Sequence, residues 1–62
     1  MPIVEMTLIE GRTFEKKKAM VEAVTDAIVT TLGAPRETVR IVLREVPACH
    51  FAAAGALKRK PP

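Results

Sequence analysis

Two apolar, β-branched stretches separated by one long amphipathic segment restrict the topology open to this chain. Pro2-Ile3-Val4-Glu5-Met6-Thr7-Leu8-Ile9 reads as a first strand. Its apolar residues are too dense for strict alternation, which predicts a strand covered on much of both faces. Glu10-Gly11-Arg12 breaks it, and Gly11 supplies the permissive backbone of the turn. Residues 38–46 read as a second strand, with Val39, Ile41 and Leu43 on one face and Arg40, Val42, Arg44 and Val46 on the other. Pro47 ends it. Between the strands, the spacing predicts a helix over Phe14–Leu32. Met20, Val21, Val24, Ala27, Ile28 and Leu32 fall at the three-to-four spacing of one helix face. Lys16, Lys17, Lys18, Glu22 and Asp26 occupy the opposite side, as a solvated face. Thr13 suits the N-cap and Glu15 the first turn, although Lys16 spoils a full capping box. Gly33 suits the C′ position, and Pro35 prevents continuation. Strand, helix and strand in this order imply a right-handed βαβ unit with parallel strands, an α/β (α+β) fold. Residues 48–57 leave two readings open: Ala52-Ala53-Ala54-Gly55 is either a turn of helix or a short β arm.

Such a unit is marginal alone. A domain of about 60 residues buries only about 60% of the surface its unfolded chain exposes. Cys49 is the only cysteine, so no internal disulfide staples this chain of 62 residues. Cys49 and His50 are adjacent and lack the partners of a metal site, so no metal is expected. Yet 48% of the residues are apolar, far too many for a disordered chain. A two-stranded sheet is marginal by itself. Pairing two units gives four strands with helices on one face, and the other face needs further subunits. Oligomerisation is therefore expected. The whole chain, 1–62, reads as a single domain, with residues 58–62 a basic tail. Lys58-Arg59-Lys60 is a solvated run rather than a nucleic-acid patch, because Phe14 and Phe51 are the only aromatics available for base stacking. No apolar run approaches the ~20 residues of a spanning helix, and no secretory signal is evident. The expected location is cytoplasmic.

Pro2 is the position with chemistry. Methionine ahead of proline is commonly removed, and loss of Met1 would leave Pro2 with a free secondary amine at the end of an apolar strand. An α-amino group ordinarily titrates at about 7.7–8.0. Desolvation and neighbouring positive charge both lower that value, toward the range where a general base works best. The bland reading is that proline is merely a good substrate for methionine removal.

Met1-Pro2-Ile3, Leu8-Ile9-Glu10-Gly11-Arg12, Ala34-Pro35 leading to Val39-Arg40, and His50-Phe51 occur in an order and at a spacing that resemble the 4-oxalocrotonate tautomerase (2-hydroxymuconate tautomerase) family. The resemblance covers nearly the whole chain. It implies a βαβ subunit with a short C-terminal β hairpin, assembled as a hexamer (a trimer of dimers) with sites where subunits meet. It also implies a cofactor-independent isomerase of aromatic-compound breakdown. In such enzymes the proline amine takes the 2-hydroxyl proton of a dienol dicarboxylate and returns a proton to carbon. Pro2 matches that base. Arg12 matches the arginine that grips the distal carboxylate. Arg40 matches the arginine, from a neighbouring subunit, that engages the carboxylate and oxygen at the 2-hydroxyl end. Phe51 matches the aromatic residue that keeps the pocket dry. Guanidinium suits these tasks because it holds a carboxylate with two parallel hydrogen bonds.

Each of these residues also has a structural reading. Arg12 follows a strand and could be an ordinary surface residue. Arg40 could face solvent or pair with Glu37 or Glu45, an exchange worth roughly 0–1 kcal/mol at a surface. Phe51 could be plain core. Arg36 and Arg44 match no role in the family and read as surface or interface residues, and Cys49 and His50 read as structural. The chain departs from the family's pattern after Phe51, where alanines stand in place of a glycine-rich stretch. Dehalogenating relatives carry a water-activating carboxylate shortly after the aromatic position; alanines there rank hydratase chemistry below tautomerisation. Two alternatives stand beside it: minor β-keto acid decarboxylation, and a non-catalytic oligomeric module that binds a small dicarboxylate.

Overall fold

A computed structural model of the chain describes residues 1–60. Strand β1 (Ile3–Ile9) leads to helix α1 (Phe14–Leu32), a 3-10 turn (Arg36–Thr38) and strand β2 (Arg40–Val46). A second 3-10 turn (Ala48–His50) then leads into the two short strands β3 (Ala52–Ala53) and β4 (Ala56–Leu57). β1 and β2 pair in parallel from Ile3 opposite Arg40 to Ile9 opposite Val46. The ladder is extended by Arg40 N–H donating to the Pro2 carbonyl at 3.0 Å and Glu10 N–H donating to the Val46 carbonyl at 2.9 Å. The βαβ unit is the one the element order implies, and the C-terminal hairpin is the one the family resemblance implies.

The helix begins and ends on the predicted residues. The Thr13 side chain accepts from Lys16 N–H, and Gly33 adopts φ 69° while its N–H returns to the Val29 carbonyl. That left-handed cap costs glycine nothing sterically. Val4, Met6, Leu8, Ile41 and Leu43 are half-buried, as are Met20, Val21, Val24 and Ile28 of the helix. Ile3, Glu5, Thr7, Val42 and Arg44 are exposed on the other face. β1 therefore alternates more cleanly than its dense composition suggests, and in the single chain only one face of it is covered. Ile3 is 62% exposed. The helix also outreaches the sheet: its 19 residues span about 27 Å, against about 20 Å for each 7-residue strand. Leu32, placed by its spacing on the core face, consequently overhangs at 69% exposure, and Phe14 at the other end is 71% exposed.

β2 starts two residues later than predicted. Thr38 belongs to the 3-10 turn, where both its N–H (3.0 Å) and its hydroxyl (2.7 Å) donate to the Pro35 carbonyl. Beyond Phe51 the β arm is the conformation adopted: Ala52 pairs with Leu57 and Ala53 with Ala56, antiparallel. The turn between them places Ala54 at φ 53° and Gly55 at φ 83°. Two positive φ values are what a tight hairpin of the right twist requires. For Ala54 that conformation costs roughly 1–2 kcal/mol. Lys58, Arg59 and Lys60 of the basic tail are exposed; Pro61 and Pro62 lie outside the described residues.

A lone chain in this shape has too much surface. Its radius of gyration is 14.8 Å, against about 10.6 Å for a compact domain of this length. Its accessible area is 4883 Å², against about 3,950 Å² for a folded monomer of its mass. Among the described residues only Ala48 is buried.

Candidate active site

Both strands of the parallel sheet run toward one end, and the residues that follow them build a cleft there. Its volume is about 360 Å³, and it is lined by Thr7, Leu8, Ile9, Arg12, Val46 and Phe51. Gly11, at φ 130°, turns the chain directly after β1. This turn brings Arg12 back so that its Nη1 donates to the Ile9 carbonyl at 3.1 Å. A guanidinium carries five N–H donors, so one such bond anchors Arg12 and leaves most of its hydrogen-bonding capacity for a ligand.

Phe51 reaches the same cleft from the other strand. Its N–H closes the second 3-10 turn on the Ala48 carbonyl at 3.1 Å, and its own carbonyl accepts from Lys58 N–H at 2.8 Å. The backbone of Phe51 is thus held on both sides, while the ring remains 44% exposed. Mostly apolar walls with a cation among them suit a planar unsaturated chain that ends in a carboxylate.

Pro2 and Arg40 lie elsewhere. They sit at the opposite end of the sheet, where Arg40 N–H meets the Pro2 carbonyl. Arg40 Nη1 donates to the Val39 carbonyl at 3.3 Å and to the Glu37 carbonyl. Neither carboxylate pairing suggested for Arg40 forms: its bond to Glu37 is to the backbone oxygen, and Glu45 pairs instead with Lys17 at 3.0 Å. The seven residues of β1 separate the two ends by about 20 Å. One chain therefore holds Pro2 with Arg40 at one end of the sheet and Arg12 with Phe51 at the other, and cannot itself bring the two pairs together.

The other arginines are surface residues, as expected. Arg36 pairs with Asp26 at 2.6 Å, and Arg44 with Glu5 at 3.3 Å across the open sheet face. Cys49 is half-buried and His50 exposed, and neither lines the cleft. Among the described residues no group of histidine, cysteine and acidic side chains could hold a metal ion, and no helix is long and apolar enough to cross a membrane. Thr7, Leu8, Ile9 and Val46 line the cleft although sequence reasoning gave them no site role. The parity of Thr7, Ile9 and Val46 on the open face was the available signal.

The sequence profile of a family described as "Tautomerase enzyme" matches residues 2–60. A Ralstonia nicotianae protein named as a probable tautomerase is 52% identical over 65 residues, covering 100% of this chain and 93% of the relative. A 2-hydroxymuconate tautomerase of Pseudomonas sp. strain CF600 is 42% identical over 55 residues, covering 89% of this chain and 87% of its own. The fold is shared with a solved heterohexamer 4-oxalocrotonate tautomerase from Chloroflexus aurantiacus. The TM-score is 0.88 at 29% identity, over 94% of each chain.

Proposed function

Since this chain belongs to the tautomerase family, we propose that it is an isomerase that ketonises a 2-hydroxymuconate-like dienol dicarboxylate, with the Pro2 amine as the base. The observation that carries this reading is the cleft that joins Arg12 to Phe51 at the far end of the sheet from Pro2 and Arg40. A two-fold axis perpendicular to the strands reverses their direction, so joining two sheets edge to edge about such an axis sets the first end of one protomer beside the last end of its partner. Pro2 of one protomer then faces the Arg12–Phe51 cleft of the other. The 2-hydroxymuconate tautomerase relative supports the substrate class, and the heterohexamer relative supports assembly, here of identical subunits.

In the assembled site the proton economy is simple. With Met1 removed, the neutral Pro2 nitrogen accepts the 2-hydroxyl proton. The electron pair left on oxygen forms the ketone and pushes through the diene toward the distal carbon. The Pro2 ammonium then protonates that carbon and is neutral again. Arg12 grips the distal carboxylate and draws electron density that way. Arg40, contributed by a neighbouring protomer, stabilises the carboxylate and the oxygen at the 2-hydroxyl end. Phe51 excludes water, which strengthens both arginine contacts. The whole chain acts as one such unit in the cytoplasm, in the breakdown of aromatic compounds.

The test is loss of dienol absorbance, followed for protein with a free Pro2 and for protein with Met1 retained. Only the processed form turns over, because an amide nitrogen is not a base. Its kcat/KM rises with pH as the ammonium loses its proton, with a midpoint below the about 7.7–8.0 of an ordinary α-amino group. Full activity with Met1 retained refutes the mechanism. Dicarboxylate binding without turnover by the processed form makes the protein a binding module instead.

A further inference from the structure

The charge of this chain is distributed unevenly. Of its ten basic side chains, three stand in Lys58-Arg59-Lys60, and the other seven equal the acidic side chains in number. The formal net charge of +3 therefore resides in the tail, while the body is balanced. Four of the body's seven basic side chains are also paired with acidic ones, through Lys17–Glu45, Lys18–Glu22, Arg36–Asp26 and Arg44–Glu5. None of the ion pairs among the described residues involves Lys58, Arg59 or Lys60, and all three are exposed.

The tail is rooted at the cleft. β4 ends at Leu57, and the next residue, Lys58, donates its N–H to the carbonyl of Phe51 at 2.8 Å. Phe51 is one wall of the cleft that holds Arg12. The surplus cations thus begin one hydrogen bond away from a residue that lines the cleft. Exposed charges act over about 10 Å at 0.1 M ionic strength and farther in dilute salt. A cluster of one sign beside an apolar cleft raises the local concentration of a counter-charged solute and its rate of entry, by about tenfold or more.

We propose that Lys58-Arg59-Lys60 is an electrostatic funnel that speeds the entry of dianionic substrates into the Arg12–Phe51 cleft without taking part in the chemistry. This role rests on the tautomerase reading above and adds to it a separate group of specificity-determining residues. It predicts discrimination by charge, because a dianion gains more from the field than a monoanion and a neutral enol gains nothing.

The test compares processed wild-type protein with the triple variant K58Q/R59Q/K60Q in two measurements. In the first, kcat and kcat/KM are followed from 10 mM to 0.5 M ionic strength for dianionic and monoanionic enols. Expected is an approximately five- to tenfold loss of kcat/KM for the dianion at low salt, a smaller loss for the monoanion, an unchanged kcat and convergence of the two proteins at high salt. In the second, association of adipate, an unreactive six-carbon dicarboxylate, is read from NMR exchange rates over the same salt range. Expected is the same low-salt loss of association rate. If neither protein turns over an enol, the tautomerase reading fails while the adipate measurement still decides the funnel. Equal salt dependence of adipate association in the two proteins, including no detectable association in either, overturns it. So does a low-salt deficit that persists unchanged at 0.5 M, or one that falls on kcat.

Discussion

Two proteins, each disabled in a different half-site, should restore activity to one another when mixed. The first carries an extra residue ahead of Pro2, so that its nitrogen stays in an amide. The second is Arg12→Ala. The structure puts Pro2 and Arg12 at opposite ends of a 7-residue strand, about 20 Å apart, and no movement of a side chain closes that gap. If a working site takes Pro2 from one protomer and Arg12 from another, each homogeneous variant has every site damaged. After the two are unfolded together in equal amounts and refolded, half of the Pro2 ends and half of the Arg12 clefts are intact. Random assembly then makes about one site in four complete, whatever the number of subunits beyond two. Arg40 does not enter the count, because it is intact in both proteins.

The readout is the rate of dicarboxylate dienol ketonisation per subunit. It should rise from the mean of the two parents to about a quarter of the wild-type value after refolding together, and should not rise when the folded proteins are combined without exchange. Titrating the ratio should trace the product of the two intact fractions, with its maximum at equal amounts. A refolded mixture that only averages its parents would refute the shared site, since it would mean that Pro2 and Arg12 act within one chain.

If Arg12 clamps the distal carboxylate, Arg12→Ala in an otherwise normal protein removes a charge-assisted grip worth about 3 kcal/mol across two hydrogen bonds. This lowers kcat/KM for dicarboxylates roughly a hundredfold and scarcely affects monocarboxylates; steady-state kinetics on the two substrate classes checks the difference, and equal losses contradict the clamp. Ala54→Asn places a residue that tolerates the left-handed region at φ 53°. It should stabilise the hairpin by about 1 kcal/mol and raise the melting temperature by several degrees; an unchanged or lower melting temperature shows that the arm is not part of the cooperative unit.

The local features were legible because their causes are local. Thr13 and Gly33 mark the helix ends through their own side-chain and backbone chemistry, and the parallel arrangement follows from element order and handedness alone. Thr38 misled for an equally local reason: its β-branched side chain favours a strand, but its hydroxyl bonds the Pro35 carbonyl and holds it in the turn. The arm could not be read from Ala52-Ala53-Ala54, a good helix-forming run. Its pairing with Ala56 and Leu57 decides the matter, through a turn in which Gly55 alone is relaxed. The site was legible in part. Likeness to a family picked out Arg12 and Phe51, and the structure joins them in one cleft. Thr7 and Ile9 escaped because dense apolar composition hid the parity of β1, and that parity becomes plain only when α1 covers one face; the face of Val46 was legible, but not that the cleft opens on that face.

A site divided between protomers would suit the size of the chain. About 900 Å² of surface beyond that of a compact monomer is close to the ~800 Å² each partner loses in an interface of standard size. One such contact therefore brings the subunit near the exposure of an ordinary folded protein. If that contact is the two-fold one, it also completes the site, because reversing the strand direction is what carries Pro2 to the Arg12–Phe51 cleft. Burial and catalysis then depend on the same association. A separated subunit would lose its cover and its base together, so specific activity on dilution should fall in step with the fraction dissociated. Activity that survived in isolated subunits would mean that the surplus surface is covered for some reason unconnected with the chemistry.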